Sequence, residues 1–99
     1  MPDVLLVLHC AVRDTDAIVE ALRPACPSPL HLQSETVKRR DFGDAVTAKK
    51  VSGELRRTRL EVVVDDRLVA DLVRLVQTSR RALPVRWRTT PVIDQGRIA

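Results

Sequence analysis

Residues 51–98 constrain the fold more than any other part of the chain. In order they read as a basic strand (ELRRTRLEVVV), an amphipathic helix (DDRLVADLVRLVQTSRR), a second strand (VRWRTTPV) and a short tail (IDQGRI). In the first strand Leu60, Val62 and Val64 fall on one face, and Arg57, Arg59, Glu61 and Val63 on the other, because side chains alternate along a strand. Asp65 and Asp66 suit a helix start, where carboxylates meet the positive end of the helix dipole. Leu68, Val69, Leu72, Val73 and Val76 recur at helical spacing. Arg80 and Arg81 suit the negative end. In the second strand Val85, Trp87 and Thr89 alternate with Arg86, Arg88 and Thr90, and Pro91 predicts a sheet edge or strand end.

The first half carries a second unit of the same kind. Residues 4–10 form a continuous apolar run, as expected of a strand buried on both faces. Asp14 or Thr15 is expected to cap the helix that follows, whose apolar positions are Ala17, Ile18, Ala21 and Leu22. Pro24 and Pro27 end it. A strand is predicted over 30–37, with Leu30 and Leu32 on one face. From 38 to 53 the apolar pattern fails: Phe42-Gly43-Asp44 reads as a turn, 45–50 as a short helical turn, and Gly53 as a second break.

The order strand, helix, strand, strand, helix, strand predicts an α+β chain. Two split strand–helix–strand units give a ferredoxin-like βαββαβ sandwich, an antiparallel sheet with both helices on one face. The 99 residues, 44% of them hydrophobic and 30% charged, predict a single domain over 1–99 with a packed core. With one Phe, one Trp and no Tyr, that core must be built from Val, Leu, Ile and Ala. An apolar sheet face opposite the helices is expected to be covered by another subunit.

The net charge of +4 is concentrated. Between Lys38 and Arg59 lie eight basic residues and three acidic ones, a local +5 that leaves −1 for the rest of the chain. Lys38, Arg39, Arg40, Lys49, Lys50, Arg56 and Arg57 are therefore candidates to bind a phosphate or an acidic partner surface, weighed against a merely solvated face. Arg86 and Arg88, with Arg97 beyond them, suit either a row lining an intersubunit cleft or ion pairs with Glu61 or Asp94. The soft metal ligands are few. Cys10, Cys26 and His31 are the candidates, since adjacent His9 and Cys10 point to opposite faces.

Several classes find no support. Two cysteines make no disulfide scaffold, and Met1-Pro2-Asp3 supplies no basic signal-peptide start, so a cytoplasmic protein with reduced thiols is expected. The apolar run 4–8 is too short to span a membrane, so none is expected to be inserted. No nucleophile elbow or His-Glu-x-x-His pair is present, and no enzyme is expected. Nucleic acid is not expected as a partner, since single-strand binders need stacking aromatics and only Phe42 and Trp87 exist.

The wording of the second half carries a resemblance. Val51-Ser52-Gly53-Glu54-Leu55-Arg56-Arg57 before a valine strand, then Trp87, Pro91 and Gly96-Arg97-Ile98, resembles a small uncharacterised PII-like family, and residues 3–10 fit its opening segment. That family is similar in fold to PII signalling proteins and to CutA, and its members tend to accompany heavy-metal efflux systems. The resemblance implies a homotrimer with sheets inward and helices outward. It implies adenine-nucleotide clefts between subunits, and a loop after the second strand, here 38–53, that grips a target such as a membrane transporter. One departure stands out. Where PII proteins place a glycine-rich phosphate loop, this chain has Arg80-Arg81-Ala82-Leu83-Pro84-Val85, which supplies neither glycine conformations nor free N–H groups well. Adenine nucleotide then depends on arginine side chains. The expectation is a regulatory, signalling protein that takes a small anionic metabolite or nucleotide. The alternative is a CutA-like trimer of metal tolerance binding a divalent metal through Cys10, Cys26 or His31.

Overall fold

The apolar run at the start becomes the strand that must be buried on both faces. In the computed structural model, which describes residues 2–38 and 54–99, β1 (Asp3–Ala11) lies inside a four-stranded sheet. It pairs antiparallel with β3 (Glu54–Asp65) along its whole length, from Asp3 opposite Asp65 to Ala11 opposite Arg57. Its other side takes β4 (Arg86–Pro91), with Val4 opposite Pro91 and His9 opposite Arg86. β2 (His31–Lys38) borders β3, from His31 opposite Glu61 to Lys38 opposite Glu54. The order is β2-β3-β1-β4, all pairs antiparallel. With two helices this is a small α+β architecture compatible with a ferredoxin-like fold. β2 and β4 are the edges, and Pro91 closes β4 where its missing N–H costs the ladder least.

Both helices pack on one sheet face. α1 (Thr15–Leu22) buries Ile18 and Leu22, and α2 (Val69–Gln77) buries Leu72 and Val76. They close over Leu6, Leu8 and Cys10 of β1 and Leu60, Val62 and Val64 of β3. Each such side chain contributes roughly 1.5–3 kcal/mol by leaving water, so the core is aliphatic as the composition demands. The Asp65 carboxylate accepts the Arg67 N–H at 3.0 Å and an ion pair from the same residue's Nε at 3.2 Å, fixing the turn Asp66–Leu68 that leads into α2. These bonds hold the Asp65 carboxyl below its usual range. At the other end Arg81 Nε donates to the Val76 carbonyl at 3.2 Å, as the dipole argument expects.

Four expectations are corrected. β2 begins at His31 rather than 30; Leu30 packs against the core while Leu32 stays half-exposed. The second helix ends at Gln77, because Thr78 and Ser79 turn their hydroxyls onto the carbonyls of Arg74 and Val76 and so satisfy the helix end early. Neither Asp14 nor Thr15 caps α1. Asp14 sits at the cap position without a capping hydrogen bond, and the Thr15 hydroxyl donates to Thr58 Oγ1 at 2.8 Å. Finally, the sheet face opposite the helices is not a bare apolar surface. Val7, Ala11 and Leu55 are buried there within the single chain. By strand register they share that face with Glu35, Arg57, Arg59, Glu61 and Arg88. The turns predicted within 42–50 lie outside the described residues. Among the described residues no helix is long and apolar enough to cross a membrane.

A candidate anion-binding cleft on the open sheet face

The open face gathers its charge at one end. On β1, His9 is opposite Arg59 of β3 and Arg86 of β4; one pair further, Ala11 is opposite Arg57, which in turn is opposite Glu35 of β2. Here a cleft of about 280 Å³ is lined by His9, Val37, Leu55, Arg57, Arg86, Trp87 and Arg88. Val37 and Leu55 lie next to the two strand ends from which residues 39–53 depart. The rim there is joined by an ion pair between Lys38 Nζ and Glu54 Oε1 at 3.5 Å.

His9 is held from both sides. Arg88 Nη1 lies 3.1 Å from its Nε2, and Glu35 Oε1 bonds its Nδ1. A guanidinium only donates, so Nε2 accepts and the ring proton sits on Nδ1, donated to Glu35. The result is a chain of side chains from β4 through β1 to β2, reaching across β3. Both imidazole nitrogens are engaged in it. Arg57 is 3% exposed, and its Nη2 donates to the His9 carbonyl at 3.1 Å and the Pro84 carbonyl at 2.9 Å. It therefore ties the strand floor to the turn that precedes β4, and so sets where Arg86 and Arg88 begin. Arg59 Nε pairs with Glu61 at 3.1 Å. Guanidinium groups beside the apolar side chains of Val37 and Leu55 suit an oxyanion with a small apolar body.

The sequence-predicted residues divide accordingly. Arg57, Arg86 and Arg88 come together in the cleft. Lys38 is at its rim, paired with Glu54. Arg56 is exposed on the helix-side face, opposite Thr36. Arg97 is in an exposed tail tied to the far end of β1, where Val92 N–H donates to the Asp3 carbonyl at 3.1 Å and Gln95 Nε2 to Asp3 Oδ2 at 2.7 Å. Arg39, Arg40, Lys49 and Lys50 lie outside the described residues. The expected ion pairs are rearranged: Glu61 is taken by Arg59, Arg88 binds His9, and Asp94 belongs to the tail at the opposite end.

The metal candidates do not converge. Cys10 is fully buried on the helix side, its Sγ 3.9 Å from Thr15 Oγ1. Cys26 is half-buried against the core, and His31 is exposed on the opposite sheet face from Cys10. Burial pushes both thiols up, which disfavours the thiolate a metal requires. Among the described residues no group of three His, Cys, Asp or Glu is placed to hold an ion.

The turn at 81–84 differs from the sequence expectation. Ala82 and Leu83 do present two successive N–H groups to one point, without glycine, and both are bonded to the Asp14 carboxylate, at 2.8 and 2.9 Å. Arg81 Nη1 donates to the Leu83 carbonyl at 3.1 Å. Glu35 was not singled out by sequence, and neither were the partners of Asp14, the place of Trp87 beside the cleft or the bridging role of His9. Their signal is register and long-range pairing, which alternation within one strand does not carry.

No family model and no curated protein matches the chain. Solved structures do. A DUF3240 family protein from Shewanella baltica OS155 superposes with a TM-score of 0.80 at 18% identity, covering 100% of this chain and 99% of that one. A functionally unknown protein from Pediococcus pentosaceus ATCC 25745 gives 0.68 at 8% identity, covering 99% of each. A Bacillus cereus protein related to NIF3 gives 0.62 at 14% identity, covering 97% of this chain and 26% of its own length. These likenesses establish the fold.

Proposed function

We propose that this chain is a non-enzymatic, PII-like regulatory protein of the cytoplasm. In this reading it is a homotrimer that binds a small anionic metabolite or nucleotide at the open-face cleft, against a neighbouring subunit. It signals to a protein partner, such as a transporter or efflux component, through residues 38–53. The observation that carries the reading is the convergence of Arg57, Arg86, Arg88 and His9 at the sheet end from which that basic segment departs. A ligand seated there would meet Val37 and Leu55, next to the strand ends at Lys38 and Glu54.

The metal-tolerance alternative has less support, since Cys10, Cys26 and His31 lie apart and both thiols are pushed up. A thermal-shift screen with inorganic phosphate, small carboxylates, adenine nucleotides and divalent metals separates the two, because a ligand specific to the folded state raises Tm. Stabilisation by anions that is lost in Arg86→Ala and Arg88→Ala supports the regulatory reading. Stabilisation by metal alone supports the alternative. A light-scattering mass of one chain contradicts the trimer.

A further inference from the structure

The 81–84 turn, not the cleft, holds the most buried carboxylate of the described fold. Asp14 is 4% exposed. It stands at the cap position before α1, yet its side chain makes no bond to the N–H groups of that helix. It turns instead to a segment 68 and 69 residues downstream, where Ala82 N–H and Leu83 N–H donate to Oδ1 and Oδ2 respectively. Each oxygen takes one donor, the arrangement by which successive backbone N–H groups grip an external carboxylate or phosphate. Other groups of the turn are engaged as well. Arg81 folds back to bond the carbonyls of Val76 and Leu83, and Arg57 bonds the carbonyl of Pro84 from the sheet side.

A helix cap does not explain this geometry, because no capping bond is made. A surface ion pair does not explain it either, because the partners are backbone N–H groups. What remains is an oxyanion site whose ligand is supplied by the chain itself. We propose that residues 82–83 form a carboxylate-sized oxyanion site that Asp14 fills from within, closing it to external anions. Two consequences follow. The turn admits no polyphosphate while Asp14 is in place. Removal of the carboxylate exposes a site for a small carboxylate from solution, formate first, because a buried site of this size ranks anions by volume.

The test is chemical rescue of Asp14→Ala, with Asp14→Asn as the partner variant. The alanine leaves the volume of a formate beside two N–H donors. The asparagine keeps the space filled, with one acceptor and one misplaced donor. Melting temperatures are read in sodium formate, acetate, phosphate and chloride at matched ionic strength. Asp14→Ala is expected to melt about 10 °C below wild type in chloride, to recover several degrees in formate, less in acetate, and none in phosphate. Wild type and Asp14→Asn are expected to show no formate-specific gain. Where Asp14→Ala does not fold in chloride, the readout is the recovery of its circular dichroism on refolding in formate. Melting of Asp14→Ala at the wild-type temperature, a formate gain no larger than that of wild type, or no recovery on refolding overturns the proposal.

Discussion

Two regions of this molecule gather hydrogen-bond donors, and they do it with different chemistry. The turn at 81–84 uses backbone N–H groups, and its anion is Asp14, built into the fold. The cleft above it uses side chains, Arg86, Arg88 and the Arg88–His9–Glu35 chain, at the base of a basic segment. Arg57 joins the two, reaching Pro84 on one side and His9 on the other. The difference teaches which region is structural. A buried donor whose partner is covalently part of the chain serves stability. Guanidinium groups on an exposed edge strand, bonded to side chains rather than to the backbone as Arg88 is to His9, can exchange partners at little cost to the fold.

The largest effect expected is at the joint between them. Arg57→Ala removes a buried guanidinium, leaves the His9 and Pro84 carbonyls without that donor, and opens a gap beneath the cleft. A loss of about 3 kcal/mol or more is expected in urea unfolding. Arg57→Lys should recover little of it, because an ammonium cannot span both carbonyls in the same plane. A near-neutral Arg57→Ala would dissolve the link between the two regions.

Next in size is a separation of properties. Arg88→Ala, on an exposed edge strand, should leave stability within about 0.5 kcal/mol. It should weaken anion binding roughly tenfold, as expected for one charge-assisted hydrogen bond. Asp14→Ala should do the reverse in kind, lowering stability first. Equal effects of both variants on both properties, read by unfolding and titration together, would collapse the distinction.

A smaller effect tests the His9 bridge. Glu35→Gln keeps an acceptor for the Nδ1 proton, so the imidazole holds its tautomer. Glu35→Ala leaves that proton without its partner and frees the ring to rotate away from Arg88. The alanine, but not the glutamine, should change the His9 ring resonances in NMR spectra. The smallest effect is at the start of α2. Asp65 titrates below its usual value because of its bonds to Arg67, so its contribution is complete above the unfolded-state value. It is lost only as pH falls below that value, through the folded one, in the region under about pH 4. Asp65→Asn should lower neutral stability slightly and flatten the acid limb of a stability–pH profile by the same small amount, because the contribution it removes is the one that acid removes from wild type.

The fold was legible because its signals are local. The doubly buried β1 shows as residues 4–10, the half-buried β3 as alternation at Leu60, Val62 and Val64, and α2 as a stripe ending in Val76. Arg86 and Arg88 were legible as a row on one strand face for the same reason. What they face was not. His9 meets Arg88 across 79 residues and Glu35 across 26, and only the registers of β1 with β4, of β1 with β3 and of β3 with β2 bring them together. His9 read in isolation looked like a failed metal ligand. Asp14 read in isolation looked like a cap, since its sequence neighbourhood is that of a helix start. Its actual partners are two backbone groups with no side-chain signature at all.

The chain contains one tryptophan and no tyrosine, so its near-ultraviolet fluorescence reports on Trp87, which stands between Arg86 and Arg88 on β4 and borders the cleft. Titration of that fluorescence with inorganic phosphate and pyrophosphate tests the central claim most directly. The account predicts a saturable change that is weakened in Arg86→Ala and Arg88→Ala and retained in Arg56→Ala and Arg97→Ala. No saturable change, or one that survives both cleft variants, would contradict it.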